Sequence, residues 1–267
     1  MKSTVVAAAL IAIAASALSP SARQAAKPAG RVVSAPAPPS ERRVPFIVGE
    51  SLTYDVSWSS YLTAGTAVTT VKDKTQSGGS IAYHIAAEGR TTTLLQALYT
   101  LHYRLDTWLD SFTLLPQRAS TYSEEGKRHR LRTTTFDRAA RRAHYEIQTS
   151  TVVKEDVVIA PEEQDALSAI YVLRTIALTP GASMTMPVTD EGTTYQVRFD
   201  VGAAERVRAP IGEVSARRIA ASLVDASGHP VGRNLAIWIA DNPQRWPVKL
   251  QAELAVGSFT LALRDAR

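Results

Sequence analysis

Apolar and polar residues alternate along most of this chain, which predicts β-strands. Between Leu52 and Trp58 every second residue is apolar, and Thr53, Asp55 and Ser57 stand between them. Because successive side chains of a strand point to opposite faces, this pattern places one set of residues in a core. The same alternation predicts strands at Thr66–Lys72, Ile81–Arg90, Tyr103–Asp110, Arg118–Glu124, His129–Asp137 and Ala143–Thr149.

The connections between these strands are short and polar. Gln76–Ser80 and Ser123–Arg128 contain glycine, which suits the positive φ of tight hairpin turns. Short connections join antiparallel neighbours, whereas parallel strands need a longer crossover. The pattern resumes after residue 181 and predicts strands at Ser183–Val188, Thr193–Glu205, Val214–Leu223, Leu235–Ala240, Val248–Ala255 and Ser258–Arg264.

The number of predicted strands bounds the architecture. About a dozen strands are more than one open twisted sheet usually holds without curling. We therefore predict a mainly β fold, with a large curled antiparallel sheet or open (half) barrel as the first interpretation and a two-sheet sandwich as the alternative. One domain is sufficient, because an all-β domain commonly reaches about 200 to 250 residues.

The segment Ala160–Gly181 has the periodicity of a helix instead. Pro161 suits a first helical turn, and Glu162, Glu163 and Asp165 would place negative charge at the positive end of the helix dipole. The residues that follow make the helix apolar on most of its sides, and such a helix is buried on most of its sides. We predict one long helix from Glu162 to Leu178, buried on the concave side of the curled sheet. A shorter apolar run at Thr92–Tyr99 is compatible with a second helix or with a strand.

Arg174 lies on the apolar face of the predicted helix, between Tyr171 and Leu178. A buried guanidinium needs a carboxylate or several carbonyl partners, because an unpaired buried charge is very costly. Two interpretations follow. The arginine binds an anionic group of a ligand, or its role is structural, as a salt bridge from the helix to the sheet or as a side chain that snorkels past its neighbours.

The N-terminus has the features of a cleaved signal peptide. Residues 1–22 combine Lys2, an apolar run and small residues suited to cleavage, and the run is shorter than the roughly 20 residues that span a bilayer. Residues 23–45 are rich in Ala, Pro and Arg, which predicts a disordered linker. We expect one β-rich domain at 46–267, a periplasmic or secreted location, and no integral membrane span after signal cleavage.

Composition excludes several classes of site. The chain has no cysteine, so it has no disulfide and no cysteine-ligated zinc. Its five histidines lie in separate segments, and we predict no metal and no cofactor. The formal net charge of +5, which loses one unit with Lys2, is too small to indicate nucleic-acid binding. No nucleophile or phosphate-binding motif is present, and we predict no catalytic residues.

Two sets of residues are candidates for binding. Aromatic and apolar residues together with the buried arginine could line a cavity between helix and sheet, and they are Tyr54, Trp58, Leu167, Tyr171, Arg174 and Trp238. A basic cluster could contact an anionic lipid surface or an acidic partner, and it consists of Lys127, Arg128, Arg130 and Arg132. We expect Arg138, Arg141 and Arg142 to face this basic cluster across one hairpin.

Four motifs, in order, resemble a known family. They are F-x-x-G-E-x-L-x-Y-x-V-x-W at Phe46–Trp58, DSFTLLP at Asp110–Pro116, DALSAIYVLR at Asp165–Arg174 and IWIADNPQRWPV at Ile237–Val248. They are similar to the bacterial exported family known as domain of unknown function number 3108. The resemblance implies an envelope protein whose fold is similar to the helix-plugged half-barrel of the lipoprotein localisation carriers. It therefore implies a concave apolar cavity able to hold an acyl chain, and no established reaction.

The first functional hypothesis is a periplasmic carrier of a hydrophobic or amphiphilic ligand, such as a lipid or a lipoprotein acyl chain. The alternative is a non-enzymatic structural or interaction protein of the envelope, which predicts an envelope protein partner and a filled interior. A cell-wall glycan hydrolase is the third hypothesis, and it requires two carboxylates that converge in a cleft. The space between helix and sheet distinguishes the three.

Overall fold

A single continuous sheet and one helix form the fold in the part of the chain that the structure describes. The structure is a computed structural model, and it describes residues 40–59, 62–93, 101–190, 192–225, 228–230, 233–254 and 257–267. Fifteen strands are hydrogen-bonded into one sheet, which curls around the helix and does not close. The predicted mainly β class, with a curled antiparallel sheet and a helix on its concave side, is confirmed.

The strands fall into two groups along the chain. The first group is β1 (Ser51–Trp58), β2 (Leu62–Ser77), β3 (Ser80–Thr91), β4 (Leu101–Asp110), β5 (Pro116–Glu125), β6 (Arg128–Asp137), β7 (Arg142–Gln148) and β8 (Val152–Val158). The second group is β9 (Gln164–Asp165), β10 (Ser183–Asp190), β11 (Thr193–Ala209), β12 (Gly212–Val224), β13 (Arg233–Ala240), β14 (Pro247–Leu254) and β15 (Gly257–Ala266), and the helix α1 (Ala166–Leu173) follows β9.

Within each group, neighbours in sequence are neighbours in the sheet. The order is β8-β7-β6-β5-β4-β3-β2-β1-β15-β14-β13-β12-β11-β10-β9, so β1 and β15 join the two groups in the middle. All pairs are antiparallel except β9 with β10. Gly78, Gly79 and Gly126 have positive φ (53°, 84° and 60°) in the hairpin turns where the sequence predicted them.

The connection between the two groups requires the sheet to curl. In a flat sheet the edge strands β8 and β9 would lie about 65 Å apart, since neighbouring strands are spaced by about 4.8 Å. Residues 159–163 join them, and an extended chain of that length spans roughly 20 Å. The curl brings β9 against β4, where the Thr107 hydroxyl donates to the Asp165 carboxylate at 2.6 Å. No ladder joins the two edges within the described ranges.

The helix α1 is shorter than the predicted Glu162–Leu178. It begins after Asp165, whose carboxylate accepts hydrogen bonds from the backbone N–H groups of Leu167 and Ser168, and the Ser168 hydroxyl completes a capping box. Asp165 is held in an extended conformation by the ladder between β9 and β10. Glu162 and Glu163 therefore precede the helix. At the other end, Thr175 N–H donates to Val172 O, a tightened turn that ends α1 at Leu173.

The buried residues of α1 contact both halves of the sheet. Ala169 and Leu173 pack against the second group of strands, in a cluster with Phe199, Ile219 and Ile237. Leu167 and Tyr171 pack against the first group, in a cluster with Phe46, Val71, Ile85 and Leu109. The predicted burial of most sides of the helix is confirmed, and the helix connects two halves of a sheet that are far apart in sequence.

The end of the predicted linker contacts the domain. Arg42 N–H donates to Ser111 O at 2.8 Å, and Lys74 donates to the Glu41 carboxylate. Phe46 is fully buried against Tyr83 and Tyr171. The predicted signal peptide and residues 23–39 of the linker lie outside the described residues, as does most of the ambiguous segment Thr92–Tyr99. None of the helical residues that the structure describes forms a stretch long and apolar enough to traverse a bilayer.

Candidate functional site

A cavity lies between α1 and the concave face of the sheet, and we call it the inner cavity. It has three adjoining lobes, with volumes of about 90, 200 and 280 Å³. Ala166 on α1 and Leu261 on β15 line all three lobes. The helix therefore plugs part of the concave side and leaves the remainder open.

The walls of the first two lobes are almost entirely apolar, and those of the third lobe are mainly apolar. The first lobe lies between Ile170 of α1 and the second group of strands, where Phe199 and Ile237 line it. The second lobe lies beside Tyr54 and Leu250. Side chains of this kind offer water few hydrogen bonds, so the space favours an apolar guest.

Small residues on β2 and β3 leave the space that the third lobe occupies. Ala67 and Gly89 are paired across these strands, and both line the second and third lobes. A Cβ added to Gly89 would meet only Thr66 O, at 4.0 Å, so a side chain there would project into open space. The cavity thus has a local cause in the sequence, which is a pair of small residues opposite the helix.

Three of the predicted cavity residues line the inner cavity. Tyr54, Leu167 and Tyr171 form part of the second lobe. Trp58 lies beside the cavity, at the end of β1, where it is 42% exposed. Its ring stacks on Phe259 with centroids 6.3 Å apart, and Phe259 lines the first and third lobes.

The structure places Trp238 away from the cavity. Its neighbours along β13, Ile237 and Ile239, pack with α1, so Trp238 points to the opposite face of the sheet. There its indole N–H donates to Glu205, and the cationic groups of Arg218 and Lys249 lie over its ring. The prediction that Trp238 lines the cavity is wrong. Alternation assigns the residues of a strand to two faces, but it does not identify which face is concave.

Arg174 is fully buried and is held by the protein itself. Its Nη1 and Nη2 each donate to one carboxylate oxygen of Glu50, both at 2.7 Å, and Nη2 also donates to Gln244 O at 2.9 Å. The guanidinium lies over the rings of Phe46 and Tyr171. Arg174 does not line the cavity, and the salt bridge from helix to sheet is the interpretation that fits. We call this group the helix anchor.

A polar recess adjoins the third lobe. It has a volume of about 30 Å³, and the residues that line both it and the third lobe include Arg132, Asp190 and Thr121. Tyr145 and Asp165 line its far side. Burial raises the pKa of Asp190 to about 6, against the opposing effect of Arg132, and burial also raises the pKa of Asp165.

Arg132 was predicted to lie on the basic surface, and this is wrong. It is buried, with Nη2 donating to the Ser123 hydroxyl at 3.4 Å. The regular ladder of β6 pairs Arg132 with Thr121, which places its side chain towards the recess. In the sequence, an arginine among other arginines indicates a solvated edge. Only the alternation of side chains along the paired strand β6 shows that Arg132 points inwards.

The remaining basic cluster is smaller than predicted. Lys127 and Arg128 are exposed at the turn between β5 and β6, and Arg130 is half-buried. Arg138, Arg141 and Arg142 lie at the turn between β6 and β7, at the other end of a ten-residue strand, so they do not face that cluster. Arg138 instead donates to Pro116 O and Glu163 O.

Two carboxylates of β4, Asp106 and Asp110, have structural partners. Asp106 accepts from Arg104 at 2.7 and 2.9 Å and contacts His84 Nε2 at 2.7 Å. Burial alone would raise the pKa of Asp106, but these hydrogen bonds lower it below its usual range. Asp110 likewise accepts from the backbone N–H groups of Phe112 and Thr113. Among the described side chains, no cluster of three or more His, Asp or Glu is suited to a metal ion.

Comparisons with known proteins identify a family and a fold. The model of the family described as "Protein of unknown function (DUF3108)" matches residues 53–264. No curated protein matches the sequence. The structure of the β-barrel-like protein of domain of unknown function DUF1849 from Brucella abortus is similar with a TM-score of 0.55, at 11% identity, over 82% of this chain and 97% of that one. The open curled fold is thus found in a second protein.

Two further solved structures show weaker similarity. A candidate exported protein with a YmcC-like fold, from Bacteroides fragilis, has a TM-score of 0.35 at 9% identity, over 85% of this chain and 100% of that one. A candidate lipoprotein from Parabacteroides distasonis has a TM-score of 0.32 at 7% identity, over 84% of this chain and 98% of that one.

Proposed function

This chain belongs to the DUF3108 family of proteins of unknown function, and we propose that it binds and carries a hydrophobic or amphiphilic ligand in the cell envelope. A lipid or the acyl chain of a lipoprotein would occupy the inner cavity. The observation that carries this proposal is the apolar lining of all three lobes, which both halves of the sheet and the helix contribute.

The energetics favour a ligand with a long apolar segment. Burying one methylene group contributes about 0.8 kcal/mol, so ten methylenes contribute about 8 kcal/mol before the cost of immobilising the chain. The three lobes share Ala166 and Leu261 in their walls, which suits a chain that follows the concave face.

The helix would act as a fixed wall of the site. The helix anchor ties its C-terminal end to Glu50 and Gln244, and the capping box fixes its N-terminal end. A helix held at both ends cannot open as a lid without breaking a buried ion pair. We therefore assign ligand entry to the side of the third lobe, where the partly exposed Trp58 stacks on Phe259.

A cavity-filling variant tests the proposal. Gly89→Phe would add a ring at a position that lines the second and third lobes, where the new Cβ would meet only Thr66 O, at 4.0 Å. Delipidated wild-type protein should take up a fluorescent fatty acid, and Gly89→Phe should bind it at least about tenfold more weakly.

The matched control is Thr135→Phe, which adds the same ring at an exposed position of β6 and should bind like the wild type. Melting curves of both variants exclude unfolding as the cause. Uptake that is absent in the wild type, or equal in Gly89→Phe and Thr135→Phe, contradicts the carrier function.

One observation favours the alternative of an envelope interaction protein. The edge strand β8 exposes Val152, Val153 and Val158 by 52, 54 and 71%, although β-strands at sheet edges are usually protected against pairing. Crosslinking from β8 in the periplasm would recover one defined partner, and Val153→Lys would abolish this while leaving ligand uptake unchanged. No crosslinked partner, together with normal uptake, removes this alternative.

A further inference from the structure

The edge strand β8 presents a row of backbone hydrogen-bonding groups on its outer side. Within the described residues β8 ends the sheet, and no strand pairs with that side. At the end of its ladder with β7, Ile159 N–H donates to Arg141 O. Because hydrogen-bonded and outward-facing positions alternate in an antiparallel pair, the odd-numbered residues of β8 bond to β7. The backbone groups of the even-numbered residues therefore face outwards, and these residues are Val152, Lys154, Asp156 and Val158.

The side chains at both ends of β8 are apolar and exposed. Val152, Val153 and Val158 are exposed by 52, 54 and 71%. Such a strand favours pairing with another strand, because pairing satisfies the outward backbone groups and covers the valines. The opposite edge of the sheet is less suited to pairing, since β9 covers part of β10 and Pro187 of β10 has no N–H to donate.

The sequence of β8 is complementary to itself when two copies run antiparallel. In VVKEDVV, two valines lie at each end, and Lys154 and Asp156 lie on either side of Glu155. Pairing centred on Glu155 places Lys154 opposite Asp156 of the second copy, and this contact occurs twice. It also places Val152 opposite Val158. Opposite charges directly across from each other stabilise an antiparallel pair.

The neighbouring registers do not join opposite charges. The outward backbone groups bond only when even-numbered residues pair with each other, so the possible registers differ by two residues. A shift by two residues in one direction pairs Lys154 with itself, and in the other direction it pairs Asp156 with itself. Both place like charges opposite each other, which is destabilising. In the centred register the one repulsive contact is between the two copies of Glu155, on the twofold axis.

The adjacent strand β7 extends this pattern on both faces of the sheet. Lys154 Nζ lies 2.9 Å from Glu146 Oε2 of β7, so pairing would place it between two carboxylates. On the other face, Ile147 of β7 pairs with Val153. Val153 would lie opposite Val157 of the second copy, so the apolar residues of this face would continue from one copy to the other.

We propose that β8 is a dimer interface, at which it pairs with β8 of a second copy, antiparallel and centred on Glu155. The contact joins the two sheets into one and closes at two copies, whereas pairing of β8 with the other edge is head to tail. The inference goes beyond the proposed function, because no residue of β8 lines the inner cavity. An interface of one strand is small, so we expect a dissociation constant on the order of 10 μM.

Single cysteines test the register directly, because the chain has no cysteine of its own. Each variant is oxidised mildly above the expected dissociation constant, and the yield of disulfide-linked dimer is measured. Glu155→Cys should give a high yield, since the two copies of this residue lie opposite each other within reach of a disulfide. The matched control is Val153→Cys, which should give about tenfold less. A higher yield from Lys154→Cys or Asp156→Cys than from Glu155→Cys would overturn the centred register.

Charge variants test the contacts in solution, where sedimentation velocity over a concentration series measures the equilibrium between monomer and dimer. Lys154→Asp should weaken the dimer about tenfold or more, and adding Asp156→Lys should restore most of the affinity. Glu155→Gln removes the repulsive contact on the axis and should tighten the dimer about threefold. Lys127→Asp, at the exposed turn between β5 and β6, is the control and should dimerise like the wild type.

Three results overturn the inference. Wild type and Glu155→Gln that both stay monomeric throughout the series exclude the dimer. A dimer that Lys154→Asp does not weaken excludes β8 as its interface. Crosslinking of β8 in the periplasm to a different protein, with no linked dimer, shows that its partner is not a second copy. If Lys154→Asp does not fold, Glu155→Cys and Glu155→Gln still decide, and none of these results changes the expected uptake of fatty acid.

Discussion

Two buried arginines differ in how the protein uses them. In the helix anchor, Arg174 meets both carboxylate oxygens of Glu50, the Gln244 carbonyl and two aromatic rings. In the recess, Arg132 donates through Nη2 to the Ser123 hydroxyl, and Asp190 lines the same recess. Arg132 also lines the third lobe of the inner cavity, whereas Arg174 lines none of the three lobes.

The difference shows that burial alone does not mark a functional arginine. Arg174 is the more deeply buried of the two, yet its role is structural. It fixes α1 across the concave face, and α1 forms one wall of the inner cavity. Arg132 lines the third lobe of the inner cavity and, together with Tyr145 and Asp190, the recess.

Breaking the helix anchor should have the largest effect. Arg174→Met leaves Glu50 buried without its cation, and the free energy of unfolding should fall by about 3–5 kcal/mol. Urea denaturation measures this. The control is Arg264→Met, which breaks the more exposed pair with Asp55 and should cost less than about 1 kcal/mol. Equal losses would contradict a structural role that is special to Arg174.

Removing the recess arginine should cost less. Arg132→Met leaves Asp190 without its cation, but this carboxyl can take up a proton, so we expect a loss of about 1–2 kcal/mol at neutral pH. The same denaturation experiment compares the two variants. A loss as large as that of Arg174→Met would show that Arg132 is a structural anchor as well.

The pH dependence of stability sharpens the comparison. Burial raises the pKa of Asp190 from 3.8 to about 6, so the folded protein binds this proton more tightly than the unfolded chain does. Its ionisation therefore destabilises the fold as pH rises from about 4 to 7, by about 3 kcal/mol, and below about pH 4 the effect is absent.

Asp190→Asn removes this titration. The difference in unfolding free energy between Asp190→Asn and the wild type should shift in favour of the variant as pH rises from 4 to 7, and denaturation at several pH values measures it. Groups common to both proteins cancel in that difference. A constant difference over this range would show that Asp190 does not titrate there.

The smallest effect on stability should come from Tyr145→Phe. Its hydroxyl has no partner among the described residues, so removing it should change the free energy of unfolding by less than about 0.5 kcal/mol. Thermal unfolding without ligand measures this. A loss above about 1 kcal/mol would reveal a partner for the hydroxyl.

The strands were largely predictable because alternation is a local signal. Leu52, Tyr54 and Val56 follow it closely in β1, and the strands predicted after it lie in the observed sheet. The edge strand β8 was missed, since it is exposed on both faces and its sequence, VVKEDVV, has no alternation. The two-residue β9 is too short to have a pattern of its own.

The start of α1 could have been placed better from the sequence. Asp165 and Ser168 have the spacing of a capping box, which is a more specific signal than the proline at position 161. The Arg174 partner could not have been found, because Glu50 lies 124 residues away in sequence. Cavity volume also depends on long-range packing, in this case on Ala67 and Gly89 opposite the helix.

The most direct test of the central claim is a set of contacts between bound ligand and the inner cavity. Delipidated protein with isotopically labelled alanine and leucine methyl groups is saturated with hexadecanoate, and nuclear Overhauser effects from its methylenes are recorded. The account predicts contacts to the methyl groups of Ala166 and Leu261, which line all three lobes. Saturation of the protein without contacts to either residue would contradict it.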